Sequence, residues 1–373
     1  MDSRPVLHAE KVVVPLPDPG TPSTFANNCN TPPLWWGINH AEEWHEMTKG
    51  FYSRLSALVL GLCSGMFAQP GMALVGATTA DANTSSSPYS GVVSISIGGG
   101  TFSGVLLANG YILTAAHVVA GNVLSPDGVM INFNDGSGQS IGAASITVFP
   151  GYAGTTPGSD GMWHDDLALV KLSTAAPSSA AAYELYTGTP TRNTALTLVG
   201  YGGTGDGISG QIAGGSGSVK NAGSNRVDVV VADDDTSGSG HTGKSEIMLF
   251  DFDNPSSGSK NVYTPASSVA SDEAQFGSGD SGSPLFTTVA GQIQLIGIAS
   301  FNGVVSHTVD GVTTPFSTSS TTFGSIGGAT SVSAYSGWIT SVTAVPEPQT
   351  WVMLLAGLGL LAFRARKALS QLR

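Results

Sequence analysis

The chain has 373 residues, of which 11% are charged and 50 are glycine, and its formal net charge is −12. Such a length allows one large domain or two modest ones. A composition poor in charge and rich in glycine suits short strands joined by turns rather than helices. The excess of acidic residues leaves no basic stripe that could neutralise phosphates, which argues against nucleic-acid binding.

The first 46 residues fit nothing that follows them. They are rich in proline and contain His40 and His45, which could be imagined as metal ligands. A disordered polar tail explains this composition more simply. Residues 1–46 are therefore predicted to be a disordered or non-native extension, with the true start of the protein at either Met1 or Met47.

From Met47 the pattern changes to that of a secretory signal peptide. Lys49 and Arg54 form a basic region, and the apolar run 55–67 follows it. Small-residue cleavage sites come next, after Ala68 and after Ala73. A membrane anchor is the alternative, but the apolar run is shorter than the roughly 20 residues that span a bilayer. Residues 47–73 are predicted to be a signal peptide.

Both cysteines lie before the end of this predicted signal peptide. They are Cys29 and Cys63. The mature protein is therefore expected to contain no disulfide. Its core would be stabilised by burial alone, which about 270 residues can supply.

Strand-like alternation dominates from residue 74 onward. Val92–Ile97 alternates nearly ideally, and three glycines follow it as a turn. Similar short runs recur at 102–107, 111–114, 129–133, 145–149, 167–172, 194–200, 226–232, 247–250, 293–299 and 311–315. Short strands separated by turn residues at this spacing are typical of a β-sandwich or β-barrel.

Three motifs place reactive side chains beside such runs. One apolar run ends in small residues and His117, and Asp165 and Asp166 open another. Ser281 lies in the segment 277–284, where glycines let the backbone turn sharply and direct its N–H groups at one point. Acyl transfer needs a hydroxyl presented in this way. Taken alone, this last segment could also be an ordinary turn.

Together, the three motifs resemble the chymotrypsin/trypsin-like serine proteases over about residues 74–340. The resemblance implies an all-β fold of two six-stranded antiparallel β-barrels with the active site in the cleft between them. The first barrel would span about 74–185 and carry His117 and Asp166. The second barrel would span about 186–342 and carry Ser281.

The resemblance also implies a role for each of these residues. Ser281 would attack a peptide carbonyl to form an acyl-enzyme, with His117 as general base and Asp166 holding the imidazole. Asp165 is the rival for the acid. Asp166 is preferred because the family's acid directly precedes an apolar triplet, here residues 167–169. No cofactor or metal is expected.

Around Ser281, the resemblance implies an oxyanion hole made by the N–H groups of Gly279 and Ser281. Asp280 would carry a structural charge. In the family this acid pairs with a new α-amino group, which here would belong to Leu74 after cleavage behind Ala73.

Three residues are expected to contact substrate. Gln275 takes the place at the base of the S1 pocket. Ser300 and Phe301 resemble the family's strand whose serine hydrogen-bonds near the catalytic acid and whose aromatic residue edges the pocket. Because Gln275 is not acidic, cleavage after arginine or lysine is not expected. Phe276 could also fill this pocket.

The remaining polar segments contain no clear motif for a binding or catalytic site. The loop 202–244 is expected to be a flexible insertion or part of a binding rim. The acidic runs 233–235 and 251–254 are either calcium ligands or, more simply, solvated turns. Three histidines lack ligand spacing and are predicted to lie on the surface, namely His164, His241 and His307.

The C-terminal segment 345–373 resembles the PEP-CTERM sorting signal of Gram-negative bacteria. It begins with Val-Pro-Glu-Pro, continues with the apolar run 351–363 and ends with basic residues. The resemblance implies processing by an exosortase after a transient contact with the inner membrane. A plain membrane anchor is the alternative, and in either case the preceding domain would lie outside the cytoplasm.

The predicted function is therefore that of a secreted serine endopeptidase, exported through the periplasm, that acts on proteins or peptides. A non-catalytic surface or matrix protein built on a protease fold is the alternative. The presence of all three motif residues favours the enzyme.

Overall fold

A computed structural model of the chain describes residues 74–158, 161–232, 244–254, 262–263, 273–309, 312–344, 354–362 and 364. The predicted leader and signal peptide, both cysteines, His241 and the acidic run 233–235 lie outside these residues.

The first half of the described chain contains a closed barrel of six strands, β3 to β8. The elements of this half are β1 (Leu74–Val75), β2 (Thr79–Ala80), β3 (Val92–Ile97), β4 (Gly100–Leu107), β5 (Tyr111–Thr114), α1 (Ala116–Val119), β6 (Val129–Phe133), β7 (Ser140–Val148) and β8 (Ala168–Leu172), with short 3₁₀ turns at Ala108–Gly110, Ala120–Asn122 and Pro126–Gly128. The barrel closes in the order β3-β4-β5-β8-β7-β6. Closure leaves no strand edge unpaired, and the apolar side chains of each strand fill the interior.

The second half supplies most of one large sheet. The elements of this half are β9 (Ala195–Gly200), β10 (Thr204–Asp206), β11 (Gly210–Ala213), β12 (Asn221–Arg226), β13 (Val229–Ala232), β14 (Ser245–Asp251), β15 (Pro284–Val289), β16 (Gln292–Val304), β17 (Ser306–Val309), β18 (Val312–Pro315), β19 (Ser325–Ser331) and α2 (Val332–Thr343). The strand order in the large sheet is β13-β14-β19-β16-β15-β9-β12-β2, while β1, β10 and β11 form a three-stranded sheet and β17 and β18 pair with each other.

This sheet also curls into a barrel, because β12 continues into β13 with only Val227 and Asp228 between them. Strands β12 and β13, which are consecutive in the chain, thus lie towards opposite ends of the sheet. The amide of Asn225 bridges the join by donating to the carbonyl oxygens of Asp251 and Ala274, at 2.9 and 3.1 Å. The two-barrel fold predicted from the sequence is confirmed.

The segment after β9 is more regular than predicted. The described part of 202–244 contains β10 to β13, and β10 pairs in parallel with β1 through Leu74 and Thr204. This pairing fixes the buried start of the described chain. The expectation of a flexible insertion is wrong for these strands.

Helix α2 was not predicted from the composition. Val332, Tyr335 and Ile339 share one face at helical spacing and are buried. The rings of Tyr335 and Trp338 lie edge-on to Phe149, at centroid distances of 4.9 and 5.2 Å. The helix therefore packs against the first barrel at Phe149, the residue that follows β7.

Residues 354–362, within the predicted sorting tail, are helical and exposed. Among the described residues, no helix is long and apolar enough to span a membrane.

A buried ion pair joins the two halves. Lys220, just before β12, has no exposed surface, and its Nζ lies 3.2 Å from Asp81 Oδ1. The same ammonium donates to the carbonyl oxygens of Tyr89 and Asn134, at 2.7 and 3.4 Å. Burial lowers the pKa of Lys220, while the charge of Asp81 opposes this effect.

Replacing Lys220 with methionine should lower the free energy of unfolding by about 3–5 kcal/mol, because Asp81 would remain buried without its cation. Urea unfolding of Lys220→Met measures this loss. The matched control is Lys244→Met, at an exposed lysine, which should change stability by less than about 1 kcal/mol. Equal losses in the two variants would contradict the assigned role of the pair.

Candidate active site

His117 and Asp166 lie at the same end of two neighbouring strands. His117 is in α1, just after β5, and Asp166 precedes β8, whose Ala168 pairs with Thr114 of β5. Asp166 meets the histidine at two points. Its Oδ1 accepts the backbone N–H of His117 at 2.9 Å, and its Oδ2 lies 2.7 Å from His117 Nδ1. This contact fixes both the position and the rotation of the imidazole.

The pair also shifts the pKa of each partner. Burial would lower the pKa of His117, but the charge of Asp166 and the hydrogen bond to it raise the pKa above its ordinary value. Burial would raise the pKa of Asp166, yet the charge of His117 and the hydrogen bonds from His117 and Ser300 lower it. Asp166 is therefore ionised at neutral pH.

A β-bulge brings Ser300 to this carboxylate. The register of β16 against β19 shifts between Ala299 and Phe301, so Ser300 is the extra residue. Such a bulge redirects a side chain out of the strand's regular alternation. Ser300 Oγ donates to Asp166 Oδ2 at 2.5 Å. Ser300 therefore lies beside the acid, where the resemblance places it, and its contact with substrate stays a prediction.

The turn that carries Ser281 is bound by both barrels. The N–H of Ser103, on β4 of the first barrel, donates to the carbonyl oxygen of Ser281 at 3.0 Å. The N–H of Gly282 donates to the carbonyl oxygen of Ala299, on β16 of the second barrel, at 2.9 Å. Ser281 therefore sits in the cleft between the barrels.

Gly282 shows how closely this turn approaches the histidine. Its φ is +80°, and a Cβ there would lie 2.1 Å from Thr114 Oγ1. Thr114 is three residues before His117. Only glycine fits this approach, which brings the serine turn to the end of β5 from which the histidine projects.

The peptide between Ser278 and Gly279 has a defined direction. The carbonyl oxygen of Ser278 accepts the N–H of Gly203 at 2.8 Å, and Gly279 has φ +96°. In a trans peptide the N–H points away from the carbonyl oxygen. The N–H of Gly279 is therefore turned away from Gly203.

The side chain of Asp280 stabilises this turn from the protein interior. The side chain is fully buried, and its two oxygens accept the N–H groups of Gly277 and Gly202, each at 2.8 Å. Burial raises the pKa of Asp280 to about 7, against the effect of these hydrogen bonds. The structural charge predicted for Asp280 thus lies where it shapes the loop.

The residues predicted to form the base of the substrate pocket, Gln275 and Phe276, are uncharged and buried. Gln275 is fully buried, and its amide donates to Ser325 Oγ at 3.2 Å and accepts the N–H of Phe276 at 2.8 Å. Phe276 is buried too, with its ring edge-on to Phe250. The amide of Asn302 donates to the carbonyl oxygen of Phe276 at 2.7 Å. Asn302 was not predicted, because no local pattern marks it.

Phe301 lies beside this site. Its ring is 5.2 Å from the ring of Trp163, centroid to centroid. A Cβ at Gly328 would lie 2.2 Å from the same phenyl ring, so glycine is required there. Phe301 therefore packs between Trp163 and the backbone of Gly328, and its contact with substrate stays a prediction.

A comparison with protein families identifies the fold. A family model described as Trypsin matches residues 76–339. The chain belongs to the trypsin family. A second model, the PEP-CTERM protein-sorting motif, matches residues 344–368. No match was found among curated proteins.

These matches confirm both resemblances inferred from the sequence. The trypsin-family domain is a serine-protease fold that implies protein substrates. The PEP-CTERM motif indicates export to the cell surface or beyond in a Gram-negative bacterium, with exosortase as the processing partner.

Two surface predictions are wrong. His164 is half-buried by Glu246, whose Oε2 lies 2.7 Å from its Nδ1, with the histidine side chain only 13% exposed. Asp251 and Asp253 are buried rather than solvated, beside Asp228 and Glu273. Within the described parts of the chain, no cluster of acidic, histidine or cysteine side chains is arranged to hold a metal ion.

This acidic cluster should make the protein less stable at high pH. Burial, with the charges of neighbouring acids, raises the pKa of Asp251 to about 8 and of Glu273 to about 9. Between about pH 4 and these values, the folded chain keeps protons that the unfolded chain releases. The free energy of unfolding should therefore fall as the pH rises from 5 to 9.

Urea unfolding at several pH values measures this slope. Glu273→Gln should flatten it, because an amide stays neutral throughout, whereas Glu184→Gln at an exposed site should leave it unchanged. A free energy of unfolding that stays constant or increases from pH 5 to 9 would contradict the raised pKa values of Asp251 and Glu273.

Proposed function

We propose that this protein is a secreted serine endopeptidase that cleaves peptide bonds with Ser281, His117 and Asp166. The two-point hydrogen bond between His117 and Asp166, beside a serine turn bound by both barrels, carries the proposal. Membership of the trypsin family supports it.

In this mechanism Asp166 accepts a hydrogen bond from the Nδ1–H group of His117, which leaves Nε2 free to act as a base. Nε2 takes the proton of Ser281 Oγ as the oxygen attacks the peptide carbonyl carbon. The negative oxygen that forms accepts the N–H groups of Gly279 and Ser281, each worth on the order of 10²–10³ in rate. The charge of Asp166 stabilises the imidazolium.

The tetrahedral intermediate then collapses. His117 gives its proton to the nitrogen of the departing amine, the carbon–nitrogen bond breaks and an acyl-enzyme remains on Ser281. A water molecule, deprotonated in turn by His117, attacks the ester and releases the acid. The proton returns to Ser281 Oγ.

Substrates with an uncharged residue before the cleaved bond suit this site. Gln275 presents no negative charge, and both ends of its amide are occupied within the protein. A buried lysine or arginine of the substrate would lack a counter-ion there. Cleavage after these two residues is therefore not expected.

Ser281→Ala should lower proteolysis by at least about 10³-fold, because the nucleophile is lost. The measurement is casein cleavage by the secreted protein, together with covalent labelling by a fluorophosphonate probe. Ser278→Ala removes an exposed hydroxyl from the same turn and should keep both activities.

Each result has a clear meaning. Labelling of the native protein that Ser281→Ala abolishes supports the endopeptidase. Casein cleavage that persists in Ser281→Ala would refute the mechanism. A native protein that neither labels nor cleaves would favour a non-catalytic surface protein on this fold.

We further propose a route of export and maturation. The segment 47–73 directs the chain to the periplasm, and the tail 345–373 contacts the inner membrane until an exosortase processes it. Cleavage after Ala73 would free the α-amino group of Leu74. Leu74 is fully buried, and Val75 after it exchanges two backbone hydrogen bonds with Gln275, at 3.0 and 2.9 Å.

A new amino group at Leu74 would compensate the buried carboxylate of Asp280, five residues beyond Gln275. Amino-terminal sequencing of the secreted protein should therefore begin at Leu74. A start well away from this residue would contradict the maturation route without affecting the proposed catalysis.

A further inference from the structure

Three consecutive residues, His164, Asp165 and Asp166, face two different partners. Asp166 binds His117, whereas the two residues before it contact Glu246 on β14. Glu246 Oε2 lies 2.7 Å from His164 Nδ1, and Glu246 Oε1 accepts the N–H of Asp165 at 2.8 Å. Glu246 therefore holds the backbone directly before the proposed catalytic acid.

Helix α2 completes this cluster with Tyr335. The hydroxyl oxygen of Tyr335 lies 2.6 Å from Glu246 Oε1 and 2.8 Å from Asp165 Oδ1. Its single hydrogen is therefore shared between two carboxylates. All three side chains are buried. Gly151, shortly after β7, also packs closely against this cluster, because a Cβ there would lie 2.1 Å from Asp165 Oδ2.

The charge of Glu246 is what holds these contacts together. Burial would raise the pKa of Glu246, but the hydrogen bonds from His164, Tyr335 and the backbone of Asp165 lower it below its ordinary value. A carboxylate accepts hydrogen bonds at both oxygens. An amide accepts at one end only and would present N–H groups to a donor at the other.

The backbone at Asp165 needs such support. Its φ is +57°, in the left-handed region that costs a non-glycine residue on the order of 1–3 kcal/mol. The carbonyl oxygen of Asp165 accepts the N–H of Leu167 at 2.8 Å, which turns the chain tightly around Asp166. The orientation of Asp166 thus depends on a strained residue that Glu246 holds in place.

We propose that Glu246, together with His164 and Tyr335, is a positioning residue that orients Asp166 towards His117. The proposal rests on the proposed function. Glu246 belongs to the barrel that carries Ser281, and Asp166 belongs to the barrel that carries His117. The cluster therefore aligns the acid of one barrel with the nucleophile of the other.

Glu246→Gln should lower kcat about tenfold and leave KM unchanged, because no substrate contact is removed. Titration with a fluorophosphonate probe counts the folded active sites, so that kcat is not confused with yield. The matched control, Glu184→Gln, removes an exposed carboxylate and should change neither value. Tyr335→Phe removes one hydroxyl and gives a milder second test, with kcat reduced about threefold.

A double-mutant cycle separates positioning from general destabilisation. In the Asp166→Asn background, Glu246→Gln should have no further effect on kcat, because there is no longer an acid to orient. Hydrolysis of an activated ester makes these slow variants measurable. An equal loss of kcat in both backgrounds would overturn the proposal, as would an unchanged kcat in Glu246→Gln.

Proton NMR tests the proposal apart from activity. The proton between His117 Nδ1 and Asp166 should resonate far downfield in the native protein, and Glu246→Gln should shift or broaden it. An unaltered resonance would overturn the proposal. If the native protein proves inactive, the proposed function fails, and this resonance still decides whether Glu246 orients Asp166.

Discussion

The structure depends on the contact between the carboxylate of Asp166 and two nitrogens of His117. One carboxylate oxygen accepts the backbone N–H and the other lies beside the ring nitrogen, at 2.9 and 2.7 Å. Because β5 and β8 are neighbours in a closed barrel, this geometry is set by strand pairing. Because the ionised carboxylate can only accept a hydrogen bond, this contact places the hydrogen of the neutral ring on Nδ1 and leaves Nε2 without one.

The second requirement is that the two barrels keep a fixed position relative to each other. No cysteine lies among the described residues, so polar contacts and packing do this work here. The N–H of Ser103 donates to the carbonyl oxygen of Ser281, and the ammonium of Lys220, just before β12, donates to the carbonyl oxygen of Asn134, just after β6. The Glu246 cluster adds a third link, beside the acid itself. Each of these contacts joins one barrel to the other.

The sequence predicts the fold and the three central residues because each sits in a short, local pattern. His117 ends an apolar run of small residues, and Ser281 lies among glycines that permit a tight turn. Contacts that depend on tertiary structure leave no such pattern. Glu246 and His164 are 82 residues apart, and nothing in either neighbourhood marks their pairing. The resemblance implies the contact of Ser300 with the acid, but the bulge that produces it is a property of strand register, which the local sequence does not reveal.

A crystal structure of the secreted protein after reaction with a fluorophosphonate tests the central claim most directly. The account predicts phosphorus bonded to Ser281 Oγ, with a phosphoryl oxygen about 3 Å from the backbone nitrogens of Gly279 and Ser281. His117 should face the same oxygen, with Asp166 behind it. Phosphorus on another residue, or a His117 ring turned away from Ser281, would contradict the account.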